Sequence, residues 1–276
     1  SYVSEKHHMI EHALWKLLTW RKSSIVFLLC RMFRDSEKIA VERDRERFGI
    51  VADQLNNWID PIRALISKYP LEKWGMIGYT FGELFADLML AVFSIVGGVY
   101  FNAARTMRSV FESMVHAAYI GEKHPWYPGL IYEIMKEDIA EEAFDRRVRE
   151  RLRSEIGLSA EEQEHITGFK YAMIDDLQFV TVEERKRLHR LYSQLSQLVH
   201  PSPLRLKKYT EDAAWGVTFF YDEDFFNQCA RLMDETMDLV ISVLLVSFPE
   251  IKSDLKAQKH VYGSLARLPT SRRLLG

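Results

Sequence analysis

Leu88-Met-Leu-Ala-Val-Phe-Ser-Ile-Val-Gly-Gly-Val-Tyr-Phe101 is apolar on every side and runs directly into Asn102-Ala-Ala-Arg-Thr-Met-Arg-Ser-Val-Phe-Glu-Ser-Met-Val-His-Ala-Ala-Tyr119. A helix that is apolar all round must be enclosed by protein or lipid. The second stretch is two-faced. Met107, Phe111, Met114 and Ala118 recur at helical spacing as a core-seeking stripe, and Arg105, Arg108, Glu112, His116 and Tyr119 recur as a polar one. Together the two stretches predict one central helix, roughly Leu84 to Tyr119, with the other helices packed around it. Gly97-Gly98 falls inside that helix and costs about 1 kcal/mol per glycine relative to alanine. Close approach of a neighbouring helix would offset that cost; a kink is the alternative.

Composition sets the class. The 276 residues are 47% hydrophobic and 12% aromatic, enough for a buried core, so the chain reads as globular. Glycine and proline are scarce, which argues against a turn-rich sandwich or barrel. A net charge of -2 provides no global field toward nucleic acid or anionic membrane. Cys30 and Cys229 both lie in apolar helical patterns and read as buried thiols of a reducing, cytoplasmic compartment, with a disulfide as the alternative. The polar, His-rich start does not read as a signal peptide. The apolar part of the central helix runs for about 14 residues, short of the ~20 a membrane span needs. No membrane association is therefore expected.

Outward from the centre, the pattern predicts an all-α bundle of about eight helices. It is read as a single domain with N-terminal helices over 1–70, a core bundle over 71–250 and a basic tail over 251–276. Ile10, Leu14, Leu17 and Leu18 share one side of a first helix, and 34–47 reads as a solvated charged helix. His124-Pro-Trp-Tyr-Pro-Gly129 reads as a loop, and Ile131 to Ile156 as one long charged helix stopped by Gly157. Ser159-Ala-Glu-Glu162 and Thr181-Val-Glu-Glu184 are capping boxes. In each, the hydroxyl accepts from a free backbone N–H and the glutamate reaches back to the cap's own N–H. The second opens a helix ending at His200, before Pro201. Residues 204–221 form the least helical region, with at most a short strand or hairpin at Trp215–Tyr221. Asp222 caps a last long helix that Pro249 stops.

Chemistry could sit where two polar stripes meet. One is Arg105, Arg108, Glu112 and His116. The other is His189, Tyr192, Ser193, Ser196 and His200, on a helix whose core face is Leu188, Leu191, Leu195 and Val199. Antiparallel packing would bring the two polar edges into a shallow groove. An arginine and a histidine there could bind a phosphate and move a proton, the minimum for metal-independent RNA cleavage. Against this, Arg108 and Glu112 could simply pair at i,i+4, and His200 could simply cap its helix.

Arg105-Thr-Met-Arg-Ser-Val-Phe-Glu-Ser-Met-Val-His-Ala-Ala-Tyr-Ile120, with Tyr192-Ser-Gln-Leu-Ser-Gln-Leu-Val-His-Pro-Ser202 and Asp238-Leu-Val-Ile-Ser-Val-Leu-Leu-Val-Ser-Phe-Pro249, resembles uncharacterised prokaryotic all-helical proteins similar to the HEPN superfamily. The resemblance implies a helical bundle, often dimeric, from a prokaryotic cell, in some cases linked to RNA cleavage in defence or toxin systems. That superfamily's catalytic signature places four to six residues between arginine and histidine. Here nine residues separate Arg190 from His200, seven separate Arg108 from His116, and three separate Arg185 from His189. The departure favours a non-catalytic relative.

Three further features stand out in the sequence. His8-Met-Ile-Glu-His12 has the form of an inverted zinc-protease motif, in which His8 and His12 would share a helix face as metal ligands and Glu11 would act as base. It lies at the extreme N-terminus without other zinc-enzyme context, so no metal or cofactor is expected. Lys136 to Glu155 is acidic first and basic second, which suits the helix dipole, and it places Glu142–Arg146 and Asp145–Arg149 as i,i+4 pairs. The aromatic segments His124–Pro128 and Trp215–Tyr221 could line a pocket or a dimer interface, or plug the bundle ends. The leading expectation is a non-enzymatic helical interaction protein, a homodimer with a protein partner in a defence or stress system. The rival is a HEPN-like ribonuclease acting on RNA through Arg108, Glu112, Arg190 and His200. The third is a small-ligand sensor, which would need an internal cavity with convergent polar groups.

Overall fold

The computed structural model describes residues 75–200, 222–257 and 268–276, together with isolated positions 34, 35, 38, 42, 68, 263 and 265. Among the described residues the protein is all-α, without a strand. The motif at His8 and His12, Cys30 and the segment 204–221 lie outside the described residues.

The expected central helix is two helices. α1 spans Gly75–Val96 and α2 spans Tyr100–Lys123. The reason is Gly98, whose φ of 72° lies in the left-handed region that glycine adopts without a Cβ clash. Val99 N–H donates to Ser94 O (2.7 Å) and Gly98 N–H to Ile95 O (3.2 Å), the paired 6→1 and 5→2 bonds of a Schellman helix end. Val99 is already the N-cap of α2, so the chain reverses within three residues. Asn102 Nδ2 donates to Ser94 Oγ (2.9 Å) and ties the two helices across the turn. At the far end Gly75 lies against Pro128, just beyond α2, as an antiparallel hairpin requires. Gly97-Gly98 is therefore neither a kink nor a contact point but a turn.

α2 is the hub. It packs against α1, against α7 (Val182–Val199) and against α8 (Glu223–Ser247). Enclosure on three sides explains why Tyr100, Met107, Phe111, Met114, Val115 and Ile120 are all buried. No helix among the described residues is long and apolar enough to cross a membrane.

Between α2 and α7 lie four short helices: α3 (Tyr127–Met135), α4 (Glu141–Ser154), α5 (Ala160–Thr167) and α6 (Met173–Asp176). Pro128 sits in the first turn of α3, where its missing N–H costs nothing, so the expected aromatic loop shrinks to His124–Trp126. The expected long charged helix is broken at 136–140 into α3 and α4. The pairs Glu142–Arg146 and Asp145–Arg149 do not form. Instead Arg147 reaches back over the break to Glu137 (2.7 Å), and Arg151 binds Glu133 (3.0 Å) and Glu155 (2.6 Å). Both capping boxes are present as read, at Ser159/Glu162 and Thr181/Glu184. Asp222 Oδ1 accepts from Phe225 N–H (2.9 Å), capping α8.

The C-terminal residues are not a loose basic tail. α9 (Ile251–Ala257) and α10 (Pro269–Leu275) fold back, and α10 packs on α8 with Ser271 and Leu275 buried. α10 has no cap of its own. Asp238, buried in the middle of α8, supplies one: Oδ1 accepts from Ser271 N–H (2.9 Å) and Oγ–H (2.8 Å), and Oδ2 from Thr270 N–H (3.1 Å). Arg187 from α7 completes the carboxylate's environment at 3.3 Å. Arg273 then grips Glu184 with two bonds (2.8 and 2.7 Å) and Phe179 O with a third (2.7 Å). A residue of the basic tail thus binds α10 to the capping box of α7.

Candidate functional site

α2 and α7 run antiparallel. Glu122, near the end of α2, accepts from Gln178 N–H (2.9 Å), just before α7 begins. Further along, the two polar stripes meet. Arg108 Nε donates to Glu112 Oε1 (2.8 Å) and Nη2 to Tyr192 Oη (2.9 Å), while Tyr192 Oη–H donates to Glu112 Oε1 (3.3 Å). The guanidinium also lies over the Tyr192 ring, 5.1 Å from its centroid. Each of the three groups satisfies the other two, so this is a closed clasp rather than an open anion site. The expected i,i+4 pair exists, and Tyr192 turns it into an interhelical bond.

Beneath the clasp lies an aromatic stack. Tyr192 packs on Phe111 (5.5 Å between centroids), Phe169 (5.5 Å) and Tyr171 (5.2 Å). Tyr171 leads to His189, whose Nδ1 lies 2.8 Å from Tyr171 Oη and whose Nε2 lies 2.9 Å from Asp175 Oδ1. A neutral imidazole donates to the carboxylate through Nε2–H and accepts the phenol proton at Nδ1. This is a tyrosine–histidine–aspartate chain at the surface. Tyr171 and Asp175 escape a reading by spacing because they belong to the turn before α6 and to α6 itself, 18 and 14 positions from His189. No periodicity links one segment to another that it touches only after folding.

His116 is not in the groove. Its Nε2–H donates to Ile166 O (2.8 Å) and it is half-buried, with burial holding its pKa below the ordinary histidine value against the opposing pull of that bond. Arg190 is exposed and stands two positions from Tyr192, about 200° round the helix, so it points away from the seam. His200 is exposed at the C-cap of α7, where its backbone N–H donates to Ser196 O (3.0 Å). No hydrogen bond or ion pair joins its ring to Arg108 or Arg190.

A small cleft opens on the other side of α7, lined by Glu184, Arg187, Leu188, Leu191, Glu235 and Asp238. Its interior has room for about one water molecule, and the polar groups around it belong to the α10 anchorage. Among the described residues no cluster of three or more His, Cys, Asp or Glu is placed to hold a metal ion. Comparison with protein-family models, with curated proteins and with solved structures gives no match.

Proposed function

We propose that this chain is a helical interaction protein that associates with a second copy of itself through the outer face of α1. The observation that carries the reading is an apolar stripe left uncovered there. Ala86, Leu90 and Phe93 follow at i, i+4 and i+7, with Leu90 47% and Phe93 38% exposed. Contiguous exposed apolar side chains on a helix with a buried opposite face mark an interaction surface. A second copy suits it because a two-fold contact needs only one self-complementary patch. Glu83 and Asp87 stand to one side of the stripe and no basic residue lies on α1. Antiparallel pairing centred between Leu90 and Phe93 would hold the two copies' Asp87 about 13 Å apart and their Glu83 about 25 Å apart. Both separations exceed the ~8 Å screening length at physiological salt, so the acidic groups do not oppose assembly.

Sedimentation equilibrium of the protein and its Leu90→Glu/Phe93→Glu variant tests this. A wild-type dimer that becomes a monomer of unchanged helicity supports the reading. A wild type that stays monomeric throughout the micromolar range refutes it.

A metal-independent ribonuclease is the second reading. What favours it is that Arg108 and Tyr192, from the two segments that resemble HEPN-like proteins, are hydrogen-bonded across one seam. What weighs against it is that the clasp leaves Arg108 no free donor pair facing a histidine. A prokaryotic cytoplasmic setting belongs to the same resemblance.

A further inference from the structure

We infer that the seam between α2 and α7, beyond the Arg108 clasp, is a binding site for a phosphate-bearing anion, formed by Arg105, Ser196 and His200. The inference is independent of self-association through α1.

The antiparallel register places these residues together. Tyr192 is level with Arg108 and Phe111. Four residues further along α7 correspond to four residues back along α2, so Ser196 is level with positions 104–107 and His200 with 100–103. Arg105 is therefore level with Ser196 and within about one turn, ~5 Å, of His200 along the seam. Arg105 and Glu112 are seven residues apart and lie within about 20° on the helix, so Arg105 continues the stripe that meets α7. Ser196 follows Tyr192 at i+4 and likewise continues the face that meets α2.

All three carry unused hydrogen-bonding capacity. Arg105 is exposed and, among the described residues, makes no hydrogen bond or ion pair, in contrast to Arg108 one turn away. The His200 ring is exposed and equally unpartnered among the described residues. Ser196 Oγ is shielded from solvent and has no hydrogen-bond partner among the described residues. A shielded hydroxyl without a partner is uncommon; rotation of the Ser196 side chain toward the seam would turn it to a ligand oxygen. The nearest acidic side chain on the stripe, Glu112, is already neutralised by Arg108 and Tyr192.

The donor set selects the ligand class. A guanidinium fork takes two oxygens of one phosphate, which a serine hydroxyl and an imidazole N–H can supplement on the others. A tetrahedral anion offers acceptors in those several directions; a planar carboxylate offers only two oxygens. The helix ends do not decide the balance. The partial negative charge at the end of α7 lies beside the partial positive charge of the first turn of α2, and the two offset. The fixed charge at the site is then that of Arg105.

Titration calorimetry with three probes tests this: inorganic phosphate, glycerol phosphate and a short single-stranded RNA. The expected result is saturable binding that Arg105→Gln weakens by about tenfold or more, the loss of a charge-assisted bidentate contact. Ser196→Ala and His200→Gln should each weaken it several-fold, and Arg105→Lys, which keeps the charge but not the fork, should fall between. Arg231→Gln, an exposed arginine on α8, should change nothing. Binding of phosphate and glycerol phosphate with this pattern supports a small phosphorylated ligand. Binding of RNA alone with the same pattern supports the site and identifies a nucleic-acid backbone as the source. Thermal melts of each variant separate lost binding from lost folding, and Arg105 and His200, being exposed, should melt as wild type. Absence of binding of every probe to the wild type overturns the inference. So does binding to Arg105→Gln as tight as to the wild type, or equal weakening by Arg231→Gln.

Discussion

Replacing Asp238 by asparagine should release the C-terminal helix while leaving the rest of the bundle folded. Asp238 is 3% exposed and receives four donors, two on each oxygen: Ser271 N–H and Oγ–H on Oδ1, Thr270 N–H and Arg187 Nη2–H on Oδ2. Asparagine keeps one acceptor oxygen and turns an NH2 group toward the donors of the other. Two charge-assisted bonds are lost, each about 1.5–3 kcal/mol, and the remaining two become neutral. Arg187 is partly exposed and recovers some hydration, which trims the total. The expected cost is about 3–5 kcal/mol, the range for breaking a buried charge pair from one side. The loss should be local, because α10 contacts chiefly α8 and is otherwise held by Arg273 on Glu184. Hydrogen exchange read by mass spectrometry measures this directly. Amides of Ser271 to Leu275 should exchange about a hundredfold to a few thousandfold faster in the variant, since each 1.4 kcal/mol is a factor of ten. Peptides from α2 should keep wild-type rates. If the C-terminal amides exchange at wild-type rates, capping by Asp238 does not hold α10. If every peptide accelerates equally, α10 is part of the global cooperative unit and the expectation of local release fails.

Gly98→Ala should destabilise the protein by about 1–2 kcal/mol in urea titrations, because a Cβ at φ 72° is strained and the reversal between α1 and α2 has no slack. An unchanged midpoint would mean the turn relaxes without glycine. His116 is held neutral by burial, so its folded pKa lies below that of the unfolded chain. Its contribution is intact above the ordinary histidine value near 6.5 and declines as pH falls below it, where the unfolded state binds the extra proton. Melting temperature should therefore fall between about pH 7 and 5, and His116→Gln should flatten that slope; a slope unchanged by the substitution assigns it to other groups. Burial of Glu184 would raise its pKa, but Arg273 and the Thr181 bonds outweigh this and hold it below the usual carboxylate value. Its stabilisation is present above the unfolded value near 4.5 and is lost as pH falls further. Arg273→Ala should lessen that acid sensitivity, and an identical acid-unfolding profile would refute the role given to the pair. Burial pushes the Cys229 thiol up to about 12, so it should react with a thiol reagent only upon unfolding. Labelling of native Cys229 would contradict its packing.

What the sequence alone determined is everything that rests on neighbours along the chain. Helical periodicity marked Met107, Phe111, Met114 and Ala118 as core, and all four are buried. Both capping boxes and the Asp222 cap were legible because donor and acceptor lie three residues apart. The two polar stripes were legible for the same reason, and with them Arg108, Glu112, Tyr192, Ser196 and His200 as candidates. What only the tertiary structure decided is everything that depends on which surfaces meet. An apolar run continues through Gly97-Gly98 whether the chain goes straight or reverses; the choice follows from α2 having to bury itself against α1, α7 and α8 at once. Arg147 and Arg151 of the charged stretch and Arg273 of the basic tail found carboxylates on other segments, at Glu137, Glu133 and Glu184, because a long flexible side chain takes the best acceptor in reach, which spacing along one helix does not reveal. Asp238, in the middle of an apolar helix, gives no local sign that it caps a helix 32 residues later. Its placement could be read only once α10 lay across α8, since a buried carboxylate must find its donors wherever folding brings them.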